Sequence, residues 1–552
     1  MKVAGAITEV LRREGVTLAN CFPTTALIDA MAGSGIRPII CRQERAGMDA
    51  ANGYARVTNG DPVGVFAMQN GPGAENAFPG IASAFSDSTP ILLLPTGHPR
   101  AYSQVQPLFS PTRVYAPVTR YAEALSAPDQ IVPIMRRAFN ALKNGRRGPV
   151  MVEIPLDLVN AEVPDGTLDY TPVPTYRSAA DPASVDAAIA LLLSARCPII
   201  FAGQGVLYAQ ATQLLVELAQ LLQAPVVTTV DGKSAFPEDH PLSLGTACVS
   251  MPGPARHFLL QSDAVLAIGA SLTRHAMYPT LPAGKRLVHA TNDPRDVSKA
   301  YETDIALLGD AELMLGQLAE AARDRLGRAT RTQAGAVEAE IQGLHEAWMT
   351  EWMPKLQSNQ TPITPYRVIW ELMAAVDPAT AIVTHDSGSP RDQLLPFYRA
   401  TRPRSYLGWG KSHQLGTGLG LAIGAKLAAP DALCVNLIGD AAFGMTGLDF
   451  ETAVRCNAPI LTIVFNNSTM ACETGTLQLS HERFATRDLG GDYAALARDL
   501  GGHGERIEDP NEIATSIVRA RKKTEDGTPV LLEFITNEEL AFSHRLDPLF
   551  AV

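Results

Sequence analysis

The sequence predicts an α/β protein built from three doubly wound parallel-sheet domains, and three observations predict it. Short apolar, β-branched runs alternate with segments of helical period in the first 155 residues, again between 198 and 289, and again from 381 onward. Alternation of this kind specifies parallel strands joined by crossover helices. The chain has 552 residues, too many for one core and enough for three or four domains of about 150 residues each. Two stretches interrupt the pattern, a polar, Pro-rich one from Val163 to Pro182 and a charged, helical one from Ala311 to about Leu356. The expected domains are therefore 1–165, 180–325 and 360–540.

Composition removes several function classes. Hydrophobic residues make up 46% and charged residues 19%, the balance of an ordinary soluble globular protein. A net charge of -11 without any basic stripe argues against nucleic acid as a partner. The seven cysteines form no CxxC pair and no His/Cys zinc spacing, which fits a reducing compartment. The first residues lack the apolar core of a signal peptide, and no apolar run reaches membrane-spanning length. The expected location is cytoplasmic, with no membrane partner.

In chain order, Ile7, Val10 and Leu11 mark a short amphipathic helix ended by Gly15, and Val16 to Phe22 reads as a strand before Pro23 opens a turn. Ile36 to Cys41 reads as strand, Gln43 to Thr58 as helix and Val63 to Met68 as strand. A Gly71-Pro72-Gly73 turn follows, then a helix from Ala74 to Phe85 and a strand from Ile91 to Leu94. Gly148 to Pro155 closes this domain. Strand candidates in the second are Pro198 to Phe201, Pro225 to Thr229, Ala264 to Ile268 and Arg286 to His289. In the third, Ala381 to Thr384 is a strand and a Gly/Ala-rich helix runs through Ala425. Trp348 and Trp352, one helical turn apart in the charged stretch, read as packing residues.

The chemistry concentrates between Val435 and Glu473. Val435 to Ile438 stops at Gly439, and Ile460 to Phe465 stops at Asn466, which reads as two parallel strands joined by a helix-like segment. Asp440 and Asn467 therefore stand at strand ends, where ligands of α/β sheets collect. A carboxylate and an amide oxygen suit a hard cation such as Mg2+, which takes few protein ligands and completes its shell with phosphate and water. Small residues in the loop let the backbone approach a phosphate. Each half alone also reads as a plain Gly-Asp or Asn-Asn turn.

Joined, the halves are more specific. Gly439-Asp440-Ala441, with Asn467 following 27 positions after the Asp, resembles the diphosphate- and Mg2+-binding motif of thiamin diphosphate enzymes of the acetolactate synthase and pyruvate decarboxylase type. The resemblance implies metal ligands Asp440, Asn467 and the Thr469 carbonyl. Ala441 replaces the family's usual Gly, so the loop cannot rely on a glycine conformation there.

Arg42-Gln43-Glu44 with Gly53-Tyr54-Ala55-Arg56 is similar to the family segment whose Glu touches the cofactor's aminopyrimidine. Such a carboxyl group stabilises the tautomer that removes the thiazolium C2 proton; without the family, Glu44 reads as a first-turn acid complementing a helix dipole. Gln69 to Asn76 resembles the loop facing the thiazolium. Gln69 matches neither the His of the decarboxylases nor the small hydroxyl residue of the synthases. Phe109 is a candidate for the same cavity or for packing alone. Leu415 falls at the position of the large apolar side chain that bends the cofactor, and His413 stands where a Gly carbonyl meets the exocyclic amine. His385, in His385-Asp386-Ser387-Gly388-Ser389, reads as structural.

Glu473 lies six positions past Asn467, where the pyruvate decarboxylase branch has an active-site Glu and the synthases an apolar residue. A surface salt bridge is the plain alternative.

The implied catalytic residues are Glu44, Gln69 and Glu473. The implied cofactor set is Pro23, Glu44, Asn76, Ser389, His413, Leu415, Gly439, Asp440, Ala441, Ala442, Asn467 and Thr469.

The middle domain resembles one that binds FAD, ADP or nothing in different family members. Gly269-Ala270-Ser271 lacks the Arg of the nucleotide binders, and Thr291-Asn292-Asp293-Pro294 lacks an acid two positions before Asp293, although Asp310 remains. FAD is not expected; ADP or coenzyme A stays open. Overall the resemblance implies a thiamin diphosphate- and Mg2+-dependent carboligase or lyase of 2-oxo acids, acetolactate synthase-like. The alternatives are a 2-hydroxyacyl-CoA lyase, a 2-oxo acid decarboxylase, or a cofactor-binding homologue without turnover. A homodimer or homotetramer acting on a 2-oxo acid, aldehyde or acyl-CoA is implied as well.

Overall fold

The computed structural model describes residues 1–103, 105–332 and 335–545. Its described residues form three six-stranded sheets in which all neighbouring strands run parallel. The first contains β1 (Leu18–Cys21), β2 (Arg37–Ile40), β3 (Gly64–Met68), β4 (Ile91–Gly97), β5 (Tyr121–Ala124) and β6 (Val150–Pro155), in the order β2-β1-β3-β4-β6-β5. The second contains β7 (Pro198–Ala202), β8 (Val226–Thr228), β9 (Ser243–Thr246), β10 (Ala264–Ile268), β11 (Arg286–Thr291) and β12 (Ile305–Leu308), ordered β12-β11-β10-β7-β8-β9. The third contains β13 (Ala381–His385), β14 (Tyr406–Leu407), β15 (Leu433–Gly439), β16 (Leu461–Asn466), β17 (His503–Ile507) and β18 (Val530–Ile535), ordered β14-β13-β15-β16-β18-β17.

Interior strands such as β3, β4 and β7 bury every residue. Helices cover both faces of such sheets, so these strands read as continuous apolar runs. The predicted α/β class with three parallel-sheet domains is what the chain adopts. Two boundaries differ in an instructive way. The helix after β3 starts at Pro72, not Ala74, because proline at the first turn is already set for a helix. The charged stretch is two helices, Ala311–Leu326 and Ala336–Leu356. Met314, Leu315 and Leu318 of the former sit in the middle-domain core, so only the latter acts as a bridge. Its Trp348 stacks on Phe397 at 4.8 Å between centroids, and Trp352 packs on Tyr366, which anchors it to the last domain. The polar stretch 163–182 is also fastened, since Tyr170 and Val173 are buried and the Val173 N–H donates to Glu14.

First and last domains meet along two helices, Glu44–Val57 and Thr417–Ala428. Their backbones approach closely enough that a Cβ on Gly424 would overlap the Ala50 carbonyl and lie 2.7 Å from the Tyr54 nitrogen. Glycine is required there by the contact itself. No described helix is long and apolar enough to cross a membrane.

Candidate active site

The third sheet places Asp440 and Asn467 side by side. β15 and β16 are adjacent and parallel, with Gly439 in register with Phe465, so the residues that follow each strand emerge at the same carboxyl edge. Asp440 is buried and opens the Asp440–Thr446 helix. Its carboxylate accepts N–H groups from Ala441 and Ser468, both at 2.8 Å, which ties the two strand-end loops together. Burial pushes this carboxyl up to about 6, with the backbone N–H groups working the other way. Ala441 lies in the first turn of that helix, a right-handed position any residue adopts, so its departure from glycine costs nothing.

The two asparagines divide the work. Asn466 is buried, donates to Glu533 at 2.7 Å and accepts from Ser468, so it fixes the loop from inside. Asn467 is half-buried, and its amide oxygen accepts the Thr469 N–H at 3.1 Å. The Thr469 carbonyl accepts from Ala471 at 3.0 Å and keeps a second lone pair. One carboxylate, one amide oxygen and one carbonyl make an all-oxygen set suited to a hard divalent cation whose other ligands come from phosphate and water. No trio of His, Cys, Asp or Glu poised for a metal gathers among the described residues.

The same edge collects the other predicted residues of the last domain. Thr446 donates to the Gly416 carbonyl at 2.8 Å, which lays the segment carrying half-buried Leu415 against the 440–446 helix. His413 has φ 39°, a left-handed conformation favouring the glycine that the family commonly has there. Its ring lies 5.4 Å from that of His275. The Ser389 hydroxyl is 3.5 Å from the Cys472 sulfur, so Ser389 adjoins the 471–473 turn. Glu473 is half-exposed in that turn, and its carboxylate has no hydrogen-bond partner among the described residues. His385 is fully buried, stacked on Trp409 at 5.4 Å, and pushed down to about 3 by burial. It is a neutral core residue.

In the first domain, Pro23, Glu44, Gln69 and Asn76 follow the carboxyl ends of β1, β2 and β3. Glu44 is buried at the start of its helix and accepts from the Asn76 amide at 3.2 Å. Burial raises its pKa. A Cβ on Gly73 would meet Glu44 Oε1 at 3.4 Å and Gln69 Cγ at 2.8 Å, so Glu44 and Gln69 converge on one glycine. Pro23 is exposed, and Phe109 packs edge-on against Tyr115. Arg45, next to Glu44, donates to the Leu415 carbonyl, and the Gln414 amide donates to Pro79 at 2.8 Å. The first-domain set is thus tied to the Leu415 segment.

Sequence reasoning missed Asp386. This buried carboxylate accepts N–H groups from Ser387, Gly416 and Gly418, each at 2.8 Å, and so joins the Ser389 loop to the Leu415 segment. The available signal was an acid at a strand end followed, 30 residues on, by Gly-Thr-Gly. Arg487 was missed too; it binds Glu538 at 2.7 Å and the Thr474 hydroxyl at 2.5 Å, bracing the turn that holds Glu473.

In the middle domain the carboxyl ends of β7, β10 and β11 face a cleft of about 690 Å³. Asp310 lines it while capping the Ala311–Leu326 helix, and Asp293 is engaged by Arg295 at 2.8 Å.

Three parallel sheets, with an oxygen-rich edge on the last and a buried acid on the first, are the frame of an α/β enzyme. The chain belongs to the thiamin diphosphate enzymes and is acetolactate synthase-like. It matches the thiamine pyrophosphate enzyme N-terminal TPP binding domain over residues 1–115, the central domain over 185–318 and the C-terminal TPP binding domain over 386–534. It is 30% identical to the acetolactate synthase large subunit of Parasynechococcus marenigrum, covering 96% of this chain and 86% of that protein. It is 29% identical to the probable acetolactate synthase large subunit of Methanococcus aeolicus, over 98% and 93%. Glyoxylate carboligase of Escherichia coli O157:H7 is 27% identical over 97% and 93%.

Proposed function

We propose that this enzyme is a Mg2+-dependent carboligase that joins 2-oxo acids in the manner of an acetolactate synthase. The observation that carries the reading is the Asp440 carboxylate, which locks the 440 and 467–469 loops together at one sheet edge. Asp440, Asn467 and the Thr469 carbonyl would hold Mg2+, which would supply charge for binding a diphosphate. When bound, thiamin diphosphate supplies the carbon nucleophile that attacks a substrate carbonyl. Glu44, buried and with a raised pKa, offers its carboxyl group to the aminopyrimidine. Leu415 and the His413 carbonyl would help hold the cofactor's ring portion. Pro23, Asn76, Ser389 and Gly439 to Ala442 shape the walls, and Gln69 faces the reacting carbon. Glu473 moves a proton on or off the bound substrate fragment.

The names of the relatives, two acetolactate synthases and a glyoxylate carboligase, support ligation. Glu473 favours a second reading, release of an aldehyde by a 2-oxo acid decarboxylase or cleavage by a 2-hydroxyacyl-CoA lyase. The middle-domain cleft leaves ADP or coenzyme A open as its occupant, and FAD is not expected because Gly269-Ala270-Ser271 lacks the Arg of the nucleotide binders. Glu44 lies in the first domain and Asp440 in the last, and the family resemblance implies that the cofactor bridges these two domains across the subunit interface of a homodimer, or of a tetramer built from such dimers.

Supplying purified protein with thiamin diphosphate, Mg2+ and a panel of 2-oxo acids, aldehydes and acyl-CoA esters tests the reaction. A branched 2-hydroxy-3-oxo acid formed from a 2-oxo acid is the expected product; free aldehyde alone contradicts ligation. Light scattering that finds an active monomer contradicts the shared site.

A further inference from the structure

A cavity of about 410 Å³ lies between the middle and last domains, apart from every residue assigned to the cofactor. Its size is within the range of small-molecule sites, about 300–1,000 Å³. Its walls come from β9, from the Ala336–Leu356 bridge, from the Pro365–Ala375 helix and from the segment 396–399. One wall is rigid, because Trp348 and Phe397 are stacked at 4.8 Å and both are buried. Met349, Trp370 and Met373, each half-buried, supply adaptable apolar surface.

The polar groups on this cavity are few and unevenly satisfied. Glu238 is spoken for: both oxygens accept from Lys233 at 2.6 Å, and one also accepts the Ala400 N–H at 2.7 Å. The negative charge there is cancelled. Arg399 is different. It is exposed at the mouth, and its guanidinium donates to His345 Nε2 at 2.9 Å, with no carboxylate in ion-pair reach among the described residues. Burial and the Arg399 charge both push the His345 pKa down, so the imidazole is a neutral acceptor and leaves the cation uncompensated. The Tyr398 hydroxyl, on the same wall, is buried with no hydrogen-bond partner among the described residues.

We propose that this cavity is a binding site for a small aromatic or branched monocarboxylic acid, its apolar body between Trp370, Met349 and the Trp348–Phe397 pair and its carboxylate on the Arg399 fork. A guanidinium presents parallel N–H donors that match a carboxylate, and the tryptophan and methionine walls fit a flat or branched hydrocarbon. The site owes nothing to the cofactor reading and stands or falls separately from it.

Titration calorimetry on the full chain, loaded with thiamin diphosphate and Mg2+, tests this with 3-phenylpropionate and its neutral counterpart 3-phenylpropanol. The acid is expected to bind once per chain. Arg399→Gln weakens the acid at least tenfold and leaves the alcohol within twofold, and Met373→Trp, which fills the cavity, abolishes both. Met349→Trp repeats the filling test from another helix should Met373→Trp fail to fold. No heat from the acid at millimolar concentration, equal acid affinity in Arg399→Gln, or full affinity in the filled variants would overturn the proposal. A change of subunit number in the filled variants would also overturn it, by making the cavity a seat for a second copy of the chain.

Discussion

Replacing Gly424 by alanine tests how the first and last domains are joined. The added Cβ would overlap the Ala50 carbonyl and lie 2.7 Å from the Tyr54 nitrogen, where ordinary contact begins at 3.4 Å. On the Tyr54 atom alone the two helices must part by about 0.7 Å, and both obstacles are backbone, so no side chain can swing aside. Overpacking of this kind costs about 1–3 kcal/mol, against a gain of up to about 1 kcal/mol for alanine over glycine within a helix. The overlap with the Ala50 carbonyl puts the cost at the upper end of that range, so a net loss of about 2 kcal/mol follows. Gly316 is the control, since a Cβ there meets nothing within 4 Å, and Gly316→Ala should gain up to about 1 kcal/mol. Urea unfolding followed by far-UV circular dichroism compares the two. Gly424→Ala as stable as wild type, with Gly316→Ala stabilised as expected, would refute the close helix contact.

Three further outcomes are expected. Glu44→Gln should keep the cofactor bound and slow exchange of the thiazolium C2 proton measured by NMR; an unchanged exchange rate speaks against its role. Glu473→Gln should leave cofactor affinity intact and lower turnover by about 10²-fold, the scale of a general acid-base contribution, and wild-type turnover would make Glu473 a surface charge. Asp386 is pushed up to about 6 by burial, from 3.8. The folded state therefore holds this proton more tightly than the unfolded chain, and the group's contribution is lost as pH rises from 3.8 through about 6. Relative to Asp386→Asn, wild type should be favoured more at pH 5 than at pH 7 in urea unfolding; a difference independent of pH contradicts the assigned environment.

The interior of each sheet was legible because strands covered on both faces must be apolar throughout, as β3, β4 and β7 are. The edge strands β5, β9, β12, β14 and β17 were not. β5 is half-buried along its length, β14 has two residues, and β17 carries His503, Glu505 and Arg506. β18 is an interior strand whose apolar run is broken by Glu533, a buried acid that serves Asn466 and the Ala494 N–H. In the site, the placement of Asp440 and Asn467 at neighbouring strand ends followed from local pattern. The ties that join loops far apart in sequence, Asp386 to Gly416 and Gly418 or Arg45 to Leu415, depend on tertiary approach and leave no local period to read.

Calorimetric titration of thiamin diphosphate with Mg2+ into wild type and Asp440→Ala tests the cofactor site most directly. On the proposed reading Mg2+ joins Asp440 to the diphosphate, so wild type should bind, and Asp440→Ala should lose Mg2+ and with it most of its diphosphate affinity. Unchanged cofactor affinity in Asp440→Ala would contradict the assignment of the β15 and β16 loops as the diphosphate site.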